Sequence, residues 1–532
     1  MLSAVWGRVL VIDLTNSKVS VEKIPEEVFK TFIGGKGLAT YLLLKHSPPN
    51  VDGFDPRNPI VMATGPLTGL LSENYMYVVA KSPLTNRFIE SICSGKLPLM
   101  IKRAGYDAVV IKGRASKPVY LWIKNDHVEI RRAFHLWNKG TFTASQEILR
   151  ETSSKASVSV IGIAGINLVR IANVLNDFIY PWGRGGFGTL YGAKYLKGLA
   201  VYGNREIKPY DAEGLKKSYI KYLNLLEIKP NLAFPLRNYR VREKLSNVLN
   251  SFNRELLNRL EDVIMMGFNL GFRNEGEVAE LLWLTDDLGI DPVSFGNILG
   301  WMIEGFEEGW LDEKKTAGLK PIPTTIENVR NLALHVAERF GFGAILAEGV
   351  DIASYVVNHE SMLKAVHVRG LETGAIDPGC LNGIEYSYIL SDSSLPIDLY
   401  GILFEEKLSA KRFKVIRDKV NLILSLPVPP YILVEPENLL YYATGYEPQD
   451  ILVIGERIEK LVRTYSYREG NLLEGWSTLP FKWKQYVEKG KLESFINEYY
   501  NERDWVDSKP TKKSLRDIQE FLKGISLPPL PN

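Results

Sequence analysis

The stretch NDFIYPWGRGGFGTLYGAKYLKG, Asn176–Gly198, places Gly183, Gly185, Gly186, Gly188 and Gly192 within ten residues, with Arg184 among them and Lys194 and Lys197 close behind. Glycines this dense let backbone N–H groups approach an anion, and a helix start after them adds a favourable dipole. The spacing fits neither a Walker A loop nor the dinucleotide fingerprint, because Gly183-Arg184-Gly185-Gly186 has the wrong period for both. Two readings stay open at this point: an anion cradle, or a tight turn that joins a strand to a helix.

Outward from this stretch, the first two hundred positions alternate β-type runs with Gly/Pro turns. GRVLVIDL (7–14), KVSVEKI (18–24), PIVMATG (59–65), MYVVAKS (76–82), DAVVIKG (107–113), PVYLWIK (118–124), HVEIRRA (127–133), SVSVIGI (157–163) and GLAVYG (198–203) read as strands. Their hairpin-length connections predict antiparallel rather than doubly wound sheets. Helices are predicted over about 25–46 and 141–152. From about Pro209 the apolar spacing turns helical, with late helices expected near 406–424, 436–443, 448–464, 484–500 and 512–523. The division expected is a β-rich domain over 1–208, a helical middle domain over 209–375 and a helical C-terminal domain over 376–532, an α+β chain.

A chain of 532 residues is too long for one core, and 45% apolar content suits a globular protein. A net charge of +3 gives no footprint for nucleic acid. No apolar run is long enough to span a bilayer, and MLSAVWGRVLVIDL lacks the features of a signal peptide, so the expected location is the cytoplasm. Cys93 and Cys380 are the whole cysteine complement, too few for an iron–sulfur site that needs four thiolates, and free thiols are expected. His46, His127, His135, His335, His359 and His367 form no metal-binding pair spacing.

In chain order the motifs GRVLVIDLT, FIGGKGLATYLLLK, ATGPLTG, VVAKSPLT, RAGYDAVVIKGRASKPVYLWI, IGIAGINLVRIANVLND, GRGGFGTLYGAKYLKGLAV, DDLGIDPVSFGN, LAEG, AIDP and IGERIEKLVRTYSYREG resemble those of the aldehyde:ferredoxin oxidoreductase family. The resemblance spans most of the chain. It implies an antiparallel two-sheet base under two mainly helical domains, with tungsten, sometimes molybdenum, on two pterins beside a [4Fe–4S] cluster.

Carried over residue by residue, the resemblance implies that Gly183, Arg184, Gly185 and Gly186 frame pterin phosphates, and that Asp286, Gly289 and Asp291 of DDLGID, with Asp418 of DKVNLI, belong to the ring-contacting motifs. Glu261 falls where relatives carry an acid near the metal, the catalytic position. Cys93-Ser94-Gly95-Lys96 stands in place of an Asn-Ser-Gly-Gly cofactor turn, and Tyr75 stands near an arginine position. Before the glycine run, Tyr180, Pro181 and Trp182 replace the usual Arg-Ala-Ala that meets the cofactor and a bridging magnesium. The three-cysteine run of relatives has no cysteine counterpart in 231–260, Ile423 replaces the fourth, and the poised histidine falls close to Pro396. MIEGFEEGWL carries Trp310 near a histidine position, so a metal-bridged dimer is not expected. Helix capping explains Asp286 and Asp291 as well as ring contact does, and Cys93 also reads as a small buried residue.

The expected function is thus a family homologue without the [4Fe–4S] cluster and without full redox activity. It would act as a structural or regulatory partner of a catalytically complete paralogue, or as a homo-oligomer, with neither nucleic acid nor membrane as partner. The alternative is a tungsten or molybdenum bis-pterin enzyme with magnesium that oxidises aldehydes to carboxylic acids. There Glu261 would move the proton and a partner would carry electrons toward ferredoxin.

Overall fold

The computed structural model describes residues 2–228, 252, 253, 256, 258–376, 379, 381, 383–396, 408–428 and 435–532. Strands β1 (Arg8–Asp13), β2 (Lys18–Lys23), β3 (Ile60–Ala63), β4 (Tyr75–Lys81), β5 (Phe88–Ser94) and β6 (Ala108–Lys112) form one sheet in the order β2-β1-β6-β3-β4-β5. A second sheet has the order β11-β10-β9-β12-β7-β8, built from β7 (Val119–Lys124), β8 (His127–Arg132), β9 (Ser157–Val160), β10 (Val174–Asn176), β11 (Tyr180–Trp182) and β12 (Leu196–Tyr202).

The expected two-sheet base is present, and its sheets are antiparallel but for one pair each. Each sheet holds one parallel pair, β1 with β6 (Val9 opposite Ala108) and β7 with β12 (Val119 opposite Leu196). Both pairs join strands far apart in sequence, where a long crossover is available, and hairpin-length turns carry no information about them.

The sheets pack face to face. Leu10, Ile12 and Met62 of the first share a core with Leu121, Ile123 and Leu199 of the second. The alternate residues Val9, Val11 and Val61 face the other way, into a core shared with helices from the end of the chain. With both faces covered, strands of the first sheet read as nearly continuous apolar runs. The second sheet turns Tyr120, Trp122 and Val158 toward Ile148 on the helix Thr141–Glu151.

The helix expected over 25–46 is two helices, α1 (Glu26–Phe32) and α2 (Gly35–His46), separated at Ile33 and Gly34. The break sits where the chain meets the backbone of a C-terminal helix. A Cβ on Gly35 would lie 2.2 Å from the Leu424 carbonyl oxygen, and the Gly37 N–H donates to Ser425 Oγ at 3.0 Å. Another helix, α3 (Lys96–Ala104), follows Gly95 without having been expected. From Ala212 on, the described residues are mainly helical, with two short hairpins, one of them β13 (His367–Val368) with β14 (Leu371–Glu372).

Candidate functional site

Strands β5 and β11 are the edges of their sheets, and the glycine run lies where these edges meet. The Gly183 N–H donates to Ser91 Oγ at 3.0 Å, and Ser82 Oγ donates to the Gly185 carbonyl at 2.7 Å. A seven-residue helix, Phe187–Ala193, starts directly behind. Its Gly188 N–H donates to the Ala172 carbonyl at 3.0 Å, and a Cβ there would stand 2.2 Å from the Asn173 carbonyl oxygen. The tight-turn reading therefore has a physical ground at Gly188. Gly188→Ala is expected to cost about 1–3 kcal/mol through overpacking against a backbone that cannot yield, read as a lower urea midpoint. An unchanged midpoint would remove that ground.

The residues ahead of the glycines form the β10–β11 hairpin, closed by Asp177 (φ 47) and Phe178 (φ 71), the latter a bulky residue in the left-handed region. Pro181 is tolerated because β11 is an edge strand. Trp182 is buried, its ring 5.5 Å from Phe187 and 6.3 Å from Tyr191. Its Nε1 donates to Asn176 Oδ1 at 2.9 Å, and Asn176 Nδ2 in turn donates to Cys93 Sγ at 2.6 Å and the Ser94 carbonyl at 3.3 Å. The Tyr180 ring lies over Gly95, where a Cβ would come within 2.7 Å of it. The Cys93-Ser94-Gly95 turn and the glycine run are thus neighbours, and the tryptophan, the tyrosine and Asn176 lie between them. Cys93 is a free, buried thiol whose pKa is pushed up by desolvation. Cys380 lies outside the described residues, as does most of 231–260. Lys96 turns away and donates to the Ala156 carbonyl at 3.1 Å.

Arg184 leaves the glycine run toward the helices. Its Nε pairs with Asp291 at 3.1 Å and its Nη2 donates to the Glu372 backbone carbonyl at 2.6 Å. Asp291 also caps helix α4 (Pro292–Glu308), accepting from Val293 N–H at 3.2 Å and Ser294 N–H at 3.3 Å. Gly289, with φ 72, ends the preceding helix Glu275–Leu288, and Asp286 near that end gives both carboxylate oxygens to Arg259, at 2.5 and 3.0 Å. Desolvation nevertheless pushes Asp286 up to about 6 against the pull of Arg259.

Glu261 is open to solvent, yet enough protein surrounds it that desolvation raises its carboxyl, with Arg184 opposing and Asp262 and Asp291 adding to the rise. Gly374 packs directly against it, where a Cβ would lie 1.7 Å from Oε1. Arg184, Asp291 and Glu261 therefore form one charged cluster, beside the Arg259–Asp286 pair. Asp418 belongs to another network, paired with Arg503 at 2.6 Å. Trp310 packs on Trp301, ring centroids 5.2 Å apart, and donates to Glu308 at 3.2 Å.

A bis-pterin needs N–H donors facing its phosphates and polar side chains free to meet its rings. Here Pro181 has no N–H, Tyr180 covers Gly95, Arg184 is engaged on two sides and Asp286 is held by Arg259. The residues in this arrangement do not fit that group. Among the described residues no cluster of three or more His, Cys, Asp or Glu side chains is arranged to hold a metal ion.

Three residues escaped the sequence reading. Arg259, the partner of Asp286 and Asp262, lies in a segment read only for its missing cysteines. Glu372 and Tyr388 complete the surroundings of Arg184. Only the neighbouring AIDP motif could have drawn attention to Glu372.

A two-sheet base with one parallel pair per sheet, a glycine loop at the meeting of two edges and a mainly helical remainder make up an α+β architecture. The chain belongs to the aldehyde ferredoxin oxidoreductase family: the model of its N-terminal domain matches residues 9–203 and that of domains 2 and 3 matches 240–519. It is similar to the tungsten-containing aldehyde ferredoxin oxidoreductase of Pyrococcus furiosus, 29% identical over 96% of this chain and 98% of the relative. The corresponding protein of Thermococcus kodakarensis is 27% identical over 97% and 99%. The WOR-like subunit of aliphatic sulfonate oxidoreductase from Pyrococcus furiosus is 30% identical over 74% of each chain. Among solved structures, the active site complex BamBC of benzoyl coenzyme A reductase with 1,5 dienoyl-CoA superposes with a TM-score of 0.81 at 20% identity, over 98% of this chain and 99% of that one. This last likeness concerns the fold alone.

Proposed function

We propose that this chain is a redox-inactive member of the family, a structural or regulatory subunit that works beside a catalytically complete paralogue or as a homo-oligomer. The observation that carries this reading is the internal closure of the cradle: Trp182 and Asn176 bridge to Cys93, Tyr180 covers Gly95, and Arg184 is paired with Asp291. The cysteine count supports it, since two thiols cannot supply a four-thiolate cluster. We place the protein in the cytoplasm; among the described residues no helix is long and apolar enough to cross a membrane.

A second reading is favoured by Glu261 alone. It is an acid with a raised pKa that is open to solvent at the position the family uses, and it suits a tungsten or molybdenum bis-pterin enzyme acting on aldehydes with a partner that passes electrons to ferredoxin. That reading requires the β10–β11 hairpin to leave the cradle.

The two readings separate on protein purified from its native host, by elemental analysis for tungsten, molybdenum, iron and magnesium together with fluorescence of oxidised pterin. The closed cradle is expected to yield no stoichiometric tungsten, molybdenum or pterin. Two pterins per chain with near-stoichiometric tungsten or molybdenum would overturn the proposal.

A further inference from the structure

Arg369 stands at the tip of the β13–β14 hairpin with φ 51, and beside it opens a cleft of about 510 Å³. Arg87, Arg369 and Lys484 line this cleft against a single lining carboxylate, Glu474, and its polar wall also takes in His359, His367, Ser477 and Thr478. Deeper in, Arg463 lies near both arginines, and the nearby Asp392 is already bonded to it. Three guanidiniums thus share two carboxylates, Glu474 and Asp392.

The side chain of Arg369 donates to the carbonyls of Tyr388 at 3.3 Å, Ser391 at 3.2 Å and Glu474 at 3.4 Å, and to that of Ile389. Its Nε is buried and has no partner among the described residues. Desolvation and then repulsion from Arg87 depress its pKa to about 9, with Asp392 opposing. Buried positive charge of this kind is costly unless an anion completes it. Among the lining residues the cations Arg87, Arg369 and Lys484 against Glu474 leave room for two negative charges, and with the Arg369 Nη atoms held on their carbonyls the N–H donors open to an oxyanion are those of Arg87 and Lys484. The rim is apolar, with Phe481 57% and Met362 41% exposed.

We propose that this cleft, where Arg87, Arg369 and Lys484 converge beside Phe481 and Met362, binds a small organic phosphate monoester, its dianion on the cations and its apolar body on the rim. The proposal is independent of the state of the cradle.

Isothermal titration calorimetry of the full chain with phenyl phosphate, inorganic phosphate and benzoate tests it. Phenyl phosphate is expected to bind once per chain with a Kd below about 1 mM, more tightly than either of the others. Lys484→Glu, at a partly exposed position, should weaken it at least about tenfold while the unfolding midpoint stays unchanged. Phe481→Ala should bring phenyl phosphate down to the affinity of inorganic phosphate. No binding at about 10 mM, binding indifferent to Lys484→Glu, or benzoate binding as tightly as phenyl phosphate would each overturn the assignment.

Discussion

Replacing Asp418 with alanine is expected to lower stability by about 3–5 kcal/mol, the range for a buried ion pair that loses one partner. Asp418 lies on the helix Ala410–Ser425, 2% exposed, and accepts from Arg503 Nη1 at 2.6 Å and Lys414 Nζ at 3.4 Å. Arg503 is itself buried, its guanidinium 5.1 Å from the Tyr499 ring centroid and its Nε donating to the Tyr499 hydroxyl at 3.1 Å. Alanine would leave that cation in an aromatic pocket without its carboxylate. The helix cannot slide to compensate, because Gly455 packs so tightly that a Cβ there would stand 1.9 Å from the Asp418 carbonyl.

Urea unfolding of three variants distinguishes the cause. Asp418→Ala should lose most, Asp418→Asn less because one hydrogen bond survives, and Asp418→Leu with Arg503→Met should recover much of the loss, since an apolar pair of similar volume removes the stranded charge. A single alanine variant as stable as the parent would show that the aspartate is not there to neutralise Arg503. The resemblance implied a cofactor motif at this position. The ion pair supplies a reason for the aspartate that needs no cofactor.

This residue illustrates what could be read from the chain and what could not. Runs such as Arg8–Asp13 and Ile60–Ala63 were legible as strands because both faces of the first sheet are buried and the residues are correspondingly apolar. Strand β5 was missed because Glu90 interrupts it, and a charge in mid-strand reads as solvent-facing. In the fold that glutamate is 3% exposed and pairs with Lys36 at 2.7 Å and with Ser393 at 2.6 Å. Strand β11 escaped for a different reason: it is three residues long with proline in the middle.

At the site, Asp291 could be read as a cap or a ring contact, and the fold shows the cap. Closure of the cradle was beyond local pattern, because it depends on Asn176 meeting Cys93, 83 residues earlier. That Tyr180 and Trp182 are too bulky for a phosphate cradle was visible in their size. That Trp182 packs on Phe187 and the Tyr180 ring lies over Gly95 is a tertiary fact.

Glu372→Gln is expected to stabilise the protein above neutral pH and to leave it unchanged in acid. The Glu372 side chain is 1% exposed, its Oε1 accepts from the Val350 N–H at 2.8 Å, and Oε2 has no hydrogen-bond partner among the described residues. Desolvation pushes the carboxyl from 4.5 to about 7, against the weaker pull of backbone N–H groups, Ser294 and Arg184. Between those two values the unfolded chain gives up this proton while the folded chain keeps it, so stability falls as the pH rises through the window. At about 1.4 kcal/mol per pH unit the fall amounts to about 3 kcal/mol, complete above pH 7. Glutamine retains the carbonyl that Val350 needs, carries no proton to lose, and turns an amide toward the unpartnered Ser294 hydroxyl. Measured as the difference between variant and parent, in which other titrations cancel, the gain should be near zero at about pH 4 and about 3 kcal/mol at about pH 8. A difference that does not change with pH would mean that the Glu372 carboxyl titrates as it does in the unfolded chain, and one that turns unfavourable to the variant as the pH rises would mean that Arg184 holds it ionised. Arg184 would then hold two carboxylates rather than one, and any ligand drawn to it would have to displace both.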